Sequence, residues 1–230
     1  MNNFWLIATG FGDSGFLLPT ALGIAIWLAI DRGTRPAAVR WTLLFGGCGF
    51  IAMLSKLLFM GWGIGSAHFD FIGFSGHTAL ATSVWPVVFW LAARRRAPKV
   101  RMAAAVSGWV WGVFIGVSRL ALEVHSTAEV VTGAMLGTVV SASFLLLHWH
   151  QSMLVRTPRW LTLAMALPLL FFIVGRPAPT QDALETLAAW MAGIERPFTR
   201  ADLLQNRRAV RQPANSTQFL TKEQSFSPSD

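Results

Sequence analysis

Charge is scarce in this chain: of 230 residues only 11 are acidic and 19 basic, 13% in all, against roughly 25% in a typical soluble domain. With 53% hydrophobic residues and a mean hydropathy of +0.50, that scarcity excludes a water-soluble globule. Cysteine is nearly absent too. The single Cys48 rules out an intrachain disulfide and any cysteine metal cluster. No sequence repeat is present. The formal net charge of +8 would suggest nucleic acid in a soluble protein, but the basic residues sit in short clusters between long apolar runs, a pattern that orients a membrane protein.

Charge-poor runs are therefore the first thing to place, because a helix crossing about 30 Å of hydrocarbon needs roughly 20 mostly apolar residues. Six candidates emerge: Ser14 to Ile30, Trp41 to about Met60 with Lys56 inside it, about His77 to Ala93, Met102 to Ser118, about Glu129 to Leu147, and Trp160 to Gly175 with Pro168 inside it. No basic stretch precedes the first run and no small-residue cleavage site follows it, so it reads as an uncleaved helix. The expected fold is all-α: a polytopic membrane bundle of about six transmembrane helices over residues 1–175, with a polar extramembrane tail over 176–230. The tail carries Pro177, Pro179, Pro197, Pro213 and Pro228, and one amphipathic stretch near Asp182 to Ile194 predicts a surface helix before a disordered end.

Lys and Arg in short loops set the orientation. Arg32, Arg35 and Arg40, then Arg94, Arg95, Arg96, Lys99 and Arg101, then Arg156 and Arg159 mark three cytoplasmic loops. The loops around 61–76 and 119–128, the N-terminus and the tail then face outward. Trp41, Trp62, Trp149 and Trp160 fall at helix ends, as an interfacial belt would. Gly108, Gly112 and Gly116 at four-residue spacing predict a close helix contact. Gly61, Gly63 and Gly65 form no phosphate-loop pattern and read as a flexible turn, His148 and His150 as interfacial residues on the cytoplasmic side, and Asp70 beside His68 as a solvated loop pair.

Ionisable residues within spans are costly, and here they converge on the outer layer. Lys56 lies on the order of 22 Å from the start of its helix at 1.5 Å per residue. Ser75, Gly76 and His77 open the third span, Ser118 and Arg119 close the fourth, and His125 and Glu129 begin the fifth on that side. A phosphoryl group wants this set: fixed positive charge and amide donors around its oxygens, an in-line nucleophile, and an acid for the leaving oxygen. Gly76 at a helix start lets backbone N–H groups face an anion. His125 and Glu129, four apart, share a helical face, so the carboxylate accepts from one ring nitrogen and leaves the other as nucleophile. His77 is placed to protonate a departing alkoxide. Ser126 and Glu129 also fit a capping box, a purely structural role for the same glutamate. No metal or other cofactor is required by this scheme.

The segments Phe74-Ser75-Gly76-His77 and Ser118-Arg119, five residues, His125, three residues, Glu129 resemble the second and third signature motifs of the type 2 phosphatidic acid phosphatase superfamily, which also includes soluble acid phosphatases and vanadium haloperoxidases. The resemblance spans roughly Lys56 to Glu129. It implies a helical core shared with the haloperoxidases and an integral-membrane lipid phosphate or diphosphate phosphatase, metal-independent. His125 would form a phosphohistidine, Glu129 orient it, His77 act as general acid, and Lys56, Ser75, Gly76 and Arg119 cradle the phosphate. The implied partners are the bilayer and its phosphorylated lipids, with no nucleic acid, and the expected location is a bacterial plasma membrane with the site on the extracytoplasmic face. The pattern departs at Phe74 for proline, at Glu129 for aspartate, and in the first motif, where Gly63 and Ile64 replace Arg-Pro after Lys56. Arg176, His68 or a tail arginine are the expected substitutes for the lost cation. Two rival functions are a lipid phosphotransferase using the same phosphohistidine, and a silent lipid-binding relative; retention of nucleophile, acid and orienter argues against the second.

Overall fold

The computed structural model describes residues 2–149 and 180–211, all helix and connecting turns apart from one isolated β-bridge. In order these are α1 (Asn2–Gly10), α2 (Ser14–Ile30), α3 (Arg35–Trp62), α4 (Gly76–Ala92), α5 (Pro98–Ala121), α6 (Thr127–Leu147), α7 (Thr180–Ala192) and α8 (Arg200–Arg211). The sixth expected span, the boundary of the tail at 175/176, Arg156, Arg159, Arg176, His150 and the end of the tail lie outside the described residues.

Helix starts follow local chemistry. Asp13 sits in extended backbone before α2 and its Oδ1 accepts the Gly15 N–H at 2.7 Å, satisfying one of the donors a helix start leaves open. Pro36 and Pro98 stand in the first turns of α3 and α5, where a missing N–H costs nothing. α3 ends at Gly63, whose φ of 69° is the left-handed geometry that glycine adopts without strain.

Among the described residues four stretches are long and apolar enough to cross a membrane: Asn3–Ile30, Arg35–Trp62, Pro98–Ala121 and Thr127–Leu147. The first takes in α1, which sequence reading had left outside the span beginning at Ser14; Phe4 and Trp5 of α1 pack on Phe114 of α5. α4 is shorter, 17 residues, and is the most enclosed, touching α2, α3, α5 and α6. Ala79, Ala81, Val84, Val87 and Trp90 on it are fully buried. Leu22, Leu43, Val110, Met135 and Leu146 on the surrounding helices are exposed, while polar side chains turn inward: Ser141 Oγ donates to the Thr82 carbonyl at 2.8 Å and Trp109 Nε1 donates to Ser141 Oγ at 2.9 Å. Apolar outside and polar inside is the arrangement that lipid imposes.

The glycine stripe of α5 lies against α4. A Cβ at Gly108 would stand 2.5 Å from Pro86 Cα, and one at Gly112 2.9 Å from Thr82 Cγ2. Gly137 of α6 is tighter still, with Ala79 O and Thr82 Oγ1 both 2.1 Å from a Cβ position. Trp41, expected at an interface, is instead 1% exposed, its indole N–H donating to the Ala21 carbonyl at 2.9 Å. His148 is likewise buried: its Nδ1 donates to Phe144 O at 2.7 Å, leaving Nε2 to face Arg40.

Gly137→Ala should therefore lower the thermal midpoint in detergent, at a cost of roughly 1–3 kcal/mol. Gly47→Ala, whose Cβ would have nothing within 4 Å, should leave the midpoint unchanged or slightly higher. Equal responses would remove the packing account.

Candidate active site

One end of the bundle gathers the ionisable residues, opposite the arginine-rich turns before α3 and α5. The loop from α3 to α4 is laced down by its backbone: Ser66 and Phe71 exchange N–H···O bonds of 2.8 and 2.9 Å, Phe74 N–H donates to Ser55 Oγ at 3.1 Å, and Ser75 N–H donates to the Glu129 carbonyl at 3.1 Å. Gly133 permits this last approach, since a Cβ there would lie 2.8 Å from Ser75 O.

Glu129 is fully buried and makes both of the contacts that the sequence left as alternatives. It closes the capping box with Ser126 at the start of α6, its Oε2 accepting the Ser126 N–H at 3.1 Å. The same Oε2 lies 2.7 Å from His125 Nδ1, and Oε1 accepts the Ile72 N–H at 3.0 Å. With Nδ1–H donated to the carboxylate, the other ring nitrogen of His125 keeps its lone pair. Burial pushes the His125 imidazole below its ordinary range; the hydrogen bond to Glu129 opposes this, and the charges of Lys56 and Arg119 reinforce it.

His77, first-turn residue of α4, is 27% exposed and its Nε2 stands 3.7 Å from Asp13 Oδ2. Arg119 Nη1 donates to Thr9 Oγ1 at 2.9 Å, while its Nε is buried with no partner among the described residues. An anion placed there would satisfy that donor. Lys56 Nζ donates to Gln181 Oε1 of α7 at 3.3 Å. Gly76 has open space around it, and the first N–H groups of α4 lack partners within the helix. The Ser75 hydroxyl is fully buried and shares a 2.9 Å hydrogen bond with Thr78 Oγ1, so Ser75 contributes the turn and not an exposed hydroxyl. The structure thus brings Lys56, Gly76, His77, Arg119, His125 and Glu129 to one end of the bundle.

Sequence reading missed three contributors. Thr9 comes from the last turn of α1 and Asp13 from the turn between α1 and α2. Arg200 of α8 places Nη2 2.8 Å from both Glu129 oxygens and Nη1 2.6 Å from Asp70 Oδ2. A tail arginine was anticipated in general terms, but not this one. Asp70 is consequently tied to Arg200 and not to His68, which stacks edge-on against Phe69. The glycines at the end of α3 are packing positions, not a loose turn: Gly61 is in the helix, where a Cβ would meet Ala192, and a Cβ at the cap residue Gly63 would meet the Phe198 ring.

A family model described as the PAP2 superfamily matches residues 56–153. The chain is similar to an uncharacterized 22.5 kDa protein in the cps region of Klebsiella pneumoniae, with 40% identity over 208 residues that cover 86% of this chain and 97% of that protein. No solved structure matches it significantly.

Because a lowered pKa keeps an imidazole neutral further into acid, carbethoxylation of His125 by diethyl pyrocarbonate, followed by peptide mass spectrometry, should reach half its maximal rate below about pH 6.5. A midpoint at or above that value counts against a buried, cation-flanked His125.

Proposed function

The chain belongs to the PAP2 superfamily, and on that premise we propose that it is an integral-membrane phosphatase that cleaves a lipid phosphate or diphosphate through a phosphohistidine on His125. The observation that carries this reading is the 2.7 Å His125–Glu129 pair set among His77, Lys56 and Arg119.

In this mechanism the Nε2 lone pair of His125 attacks phosphorus in line. The bond from phosphorus to the leaving oxygen breaks as His77 gives that oxygen its proton. Burial pushes the His77 imidazole below its ordinary range, with Arg119 and Lys56 adding to the effect; Asp13, 3.7 Å from the ring, opposes this and favours the protonated form needed at the start. Glu129 holds the Nδ1 proton and offsets the positive charge that His125 gains as the N–P bond forms. Lys56, Arg119 and the amides at the start of α4, in the turn made by Ser75 and Gly76, stabilise the charge on the equatorial oxygens. Water then gives a proton to neutral His77 and attacks phosphorus; the P–N bond breaks, its electron pair returns to Nε2, and phosphate leaves. No step calls for a metal.

The lipid substrate is supported by the site's position at one end of the membrane-crossing helices, where a phosphate anchored by acyl or prenyl chains arrives laterally. The arginine-rich turns at the opposite end support an extracytoplasmic site, and a bacterial plasma membrane is the proposed location.

The test is release of inorganic phosphate by purified protein in detergent with EDTA, across phosphatidic acid, phosphatidylglycerol phosphate, polyprenyl diphosphate and lipid A. Release should survive EDTA and fall at least about a thousandfold in His125→Ala. Glu129→Gln should fold, since glutamine serves a capping box, yet lose activity by on the order of a thousandfold, because an amide favours the wrong tautomer of His125. Full activity of Glu129→Gln would leave Glu129 only its cap; phosphate found on a second lipid, with none free, would replace hydrolysis by transfer.

A further inference from the structure

Arg200 lies outside the segment that the family model matches, yet its guanidinium reaches the buried carboxylate that holds His125. Its placement is over-determined. α7 packs on the end of α3, with Ala188 fully buried against the cluster of Leu57, Phe59 and Met60. The chain then crosses the α3 terminus: Phe198 N–H donates to the Met60 carbonyl at 2.8 Å and the Phe198 ring covers Gly63. Immediately afterwards Thr199 and Asp202 cap α8 reciprocally, Thr199 N–H donating to Asp202 Oδ2 at 2.8 Å and Asp202 N–H to Thr199 Oγ1 at 3.4 Å. Arg200, between them, is thereby fixed over Glu129 and is 28% exposed.

We infer that Arg200 is a positioning residue of the active site: paired with Glu129 and Asp70, it balances the carboxylate's charge so that His125 stays neutral and ready to attack. This rests on the phosphohistidine reading above. A buried carboxylate facing an imidazole alone favours the carboxylate–imidazolium pair, in which the attacking lone pair is occupied by a proton. A guanidinium on the other side of the carboxylate removes that bias while leaving the hydrogen bond to Nδ1 in place. The other charged groups of the site act alongside it: Lys56 on α3 and Arg119 on α5 disfavour imidazolium, Asp70 is matched by Arg200 itself, and His77 on α4 is matched by Asp13. Gly63 stands where the first motif of the superfamily has arginine. The segment that covers this glycine carries a guanidinium back to the site two residues later.

The experiment compares pH profiles of kcat/KM for the full-length protein in detergent, on the lipid phosphate that it cleaves fastest; ionisation of that lipid is common to all variants and cancels. Removing a positive charge favours imidazolium, so Arg200→Ala should move the acid limb upward by roughly half to one pH unit, with a larger loss of activity at pH 6 than at pH 8. Arg200→Lys should restore the limb while staying slower than wild type, since lysine lacks the planar fork. Should Arg200→Ala not fold, Arg200→Gln, which keeps hydrogen bonding and loses the charge, must show the same upward shift. Arg196→Ala is the control: its pairing with Asp202 is on the surface, and it should keep the wild-type profile. An unmoved acid limb in the variants that lose the charge, or an equal shift in Arg196→Ala, overturns the role of Arg200. Activity retained by His125→Ala removes instead the phosphohistidine reading on which it rests.

Discussion

The buried carboxylate of Glu129 is the constraint around which this end of the molecule is arranged. An ionised group without exposure is tolerated only when every lone pair is used, and here the partners are the His125 ring, the amides of Ser126 and Ile72, and the guanidinium of Arg200. These partners come from the start of α6, the link before it, the loop after α3, and the tail. Satisfying one charge therefore positions four segments at once. The residue's backbone adds a fifth link by accepting the Ser75 N–H, which fixes the start of α4 relative to α6.

Glycine makes the second half of that geometry possible. Helices in lipid gain little from apolar burial against one another and rely on close contact instead, and α4 is held between α5 and α6 at distances that leave no room for a Cβ at Gly108, Gly112 or Gly137. α4 consequently serves less as a lipid-facing wall than as the spine from whose first turn His77 projects.

Much of this was legible in sequence. Charge-poor runs revealed the helices because hydrocarbon punishes ionised groups one by one, and the spacing of Arg119, His125 and Glu129 revealed the cluster because helical periodicity converts spacing into direction. What escaped was contact between elements remote in the chain. Nothing local distinguishes Thr9 or Arg200 from a surface residue, and Trp41 looks interfacial until the Ala21 carbonyl that accepts its indole N–H is seen. The ion pair of Asp70 escaped because its partner lies in another part of the chain, and the glycines at the end of α3 read as loose because α7 and Phe198, which occupy the space that they leave, are likewise distant. The cap and the contact with His125 are not exclusive for Glu129, since its Oε2 takes both the Ser126 N–H and the His125 ring nitrogen.

Phe198, resting on the glycine that ends α3, also fixes an order of events. The ribosome completes every segment carrying the motif residues before it reaches the stretch that covers Gly63 and brings a guanidinium to Glu129. Until then Glu129 lacks one of the partners that its carboxylate has in the full chain. A message cut short after the last motif residue would encode a chain with the signature intact and the charge balance of its centre unfinished, so recognising the signature in a fragment is not the same as recognising a complete site.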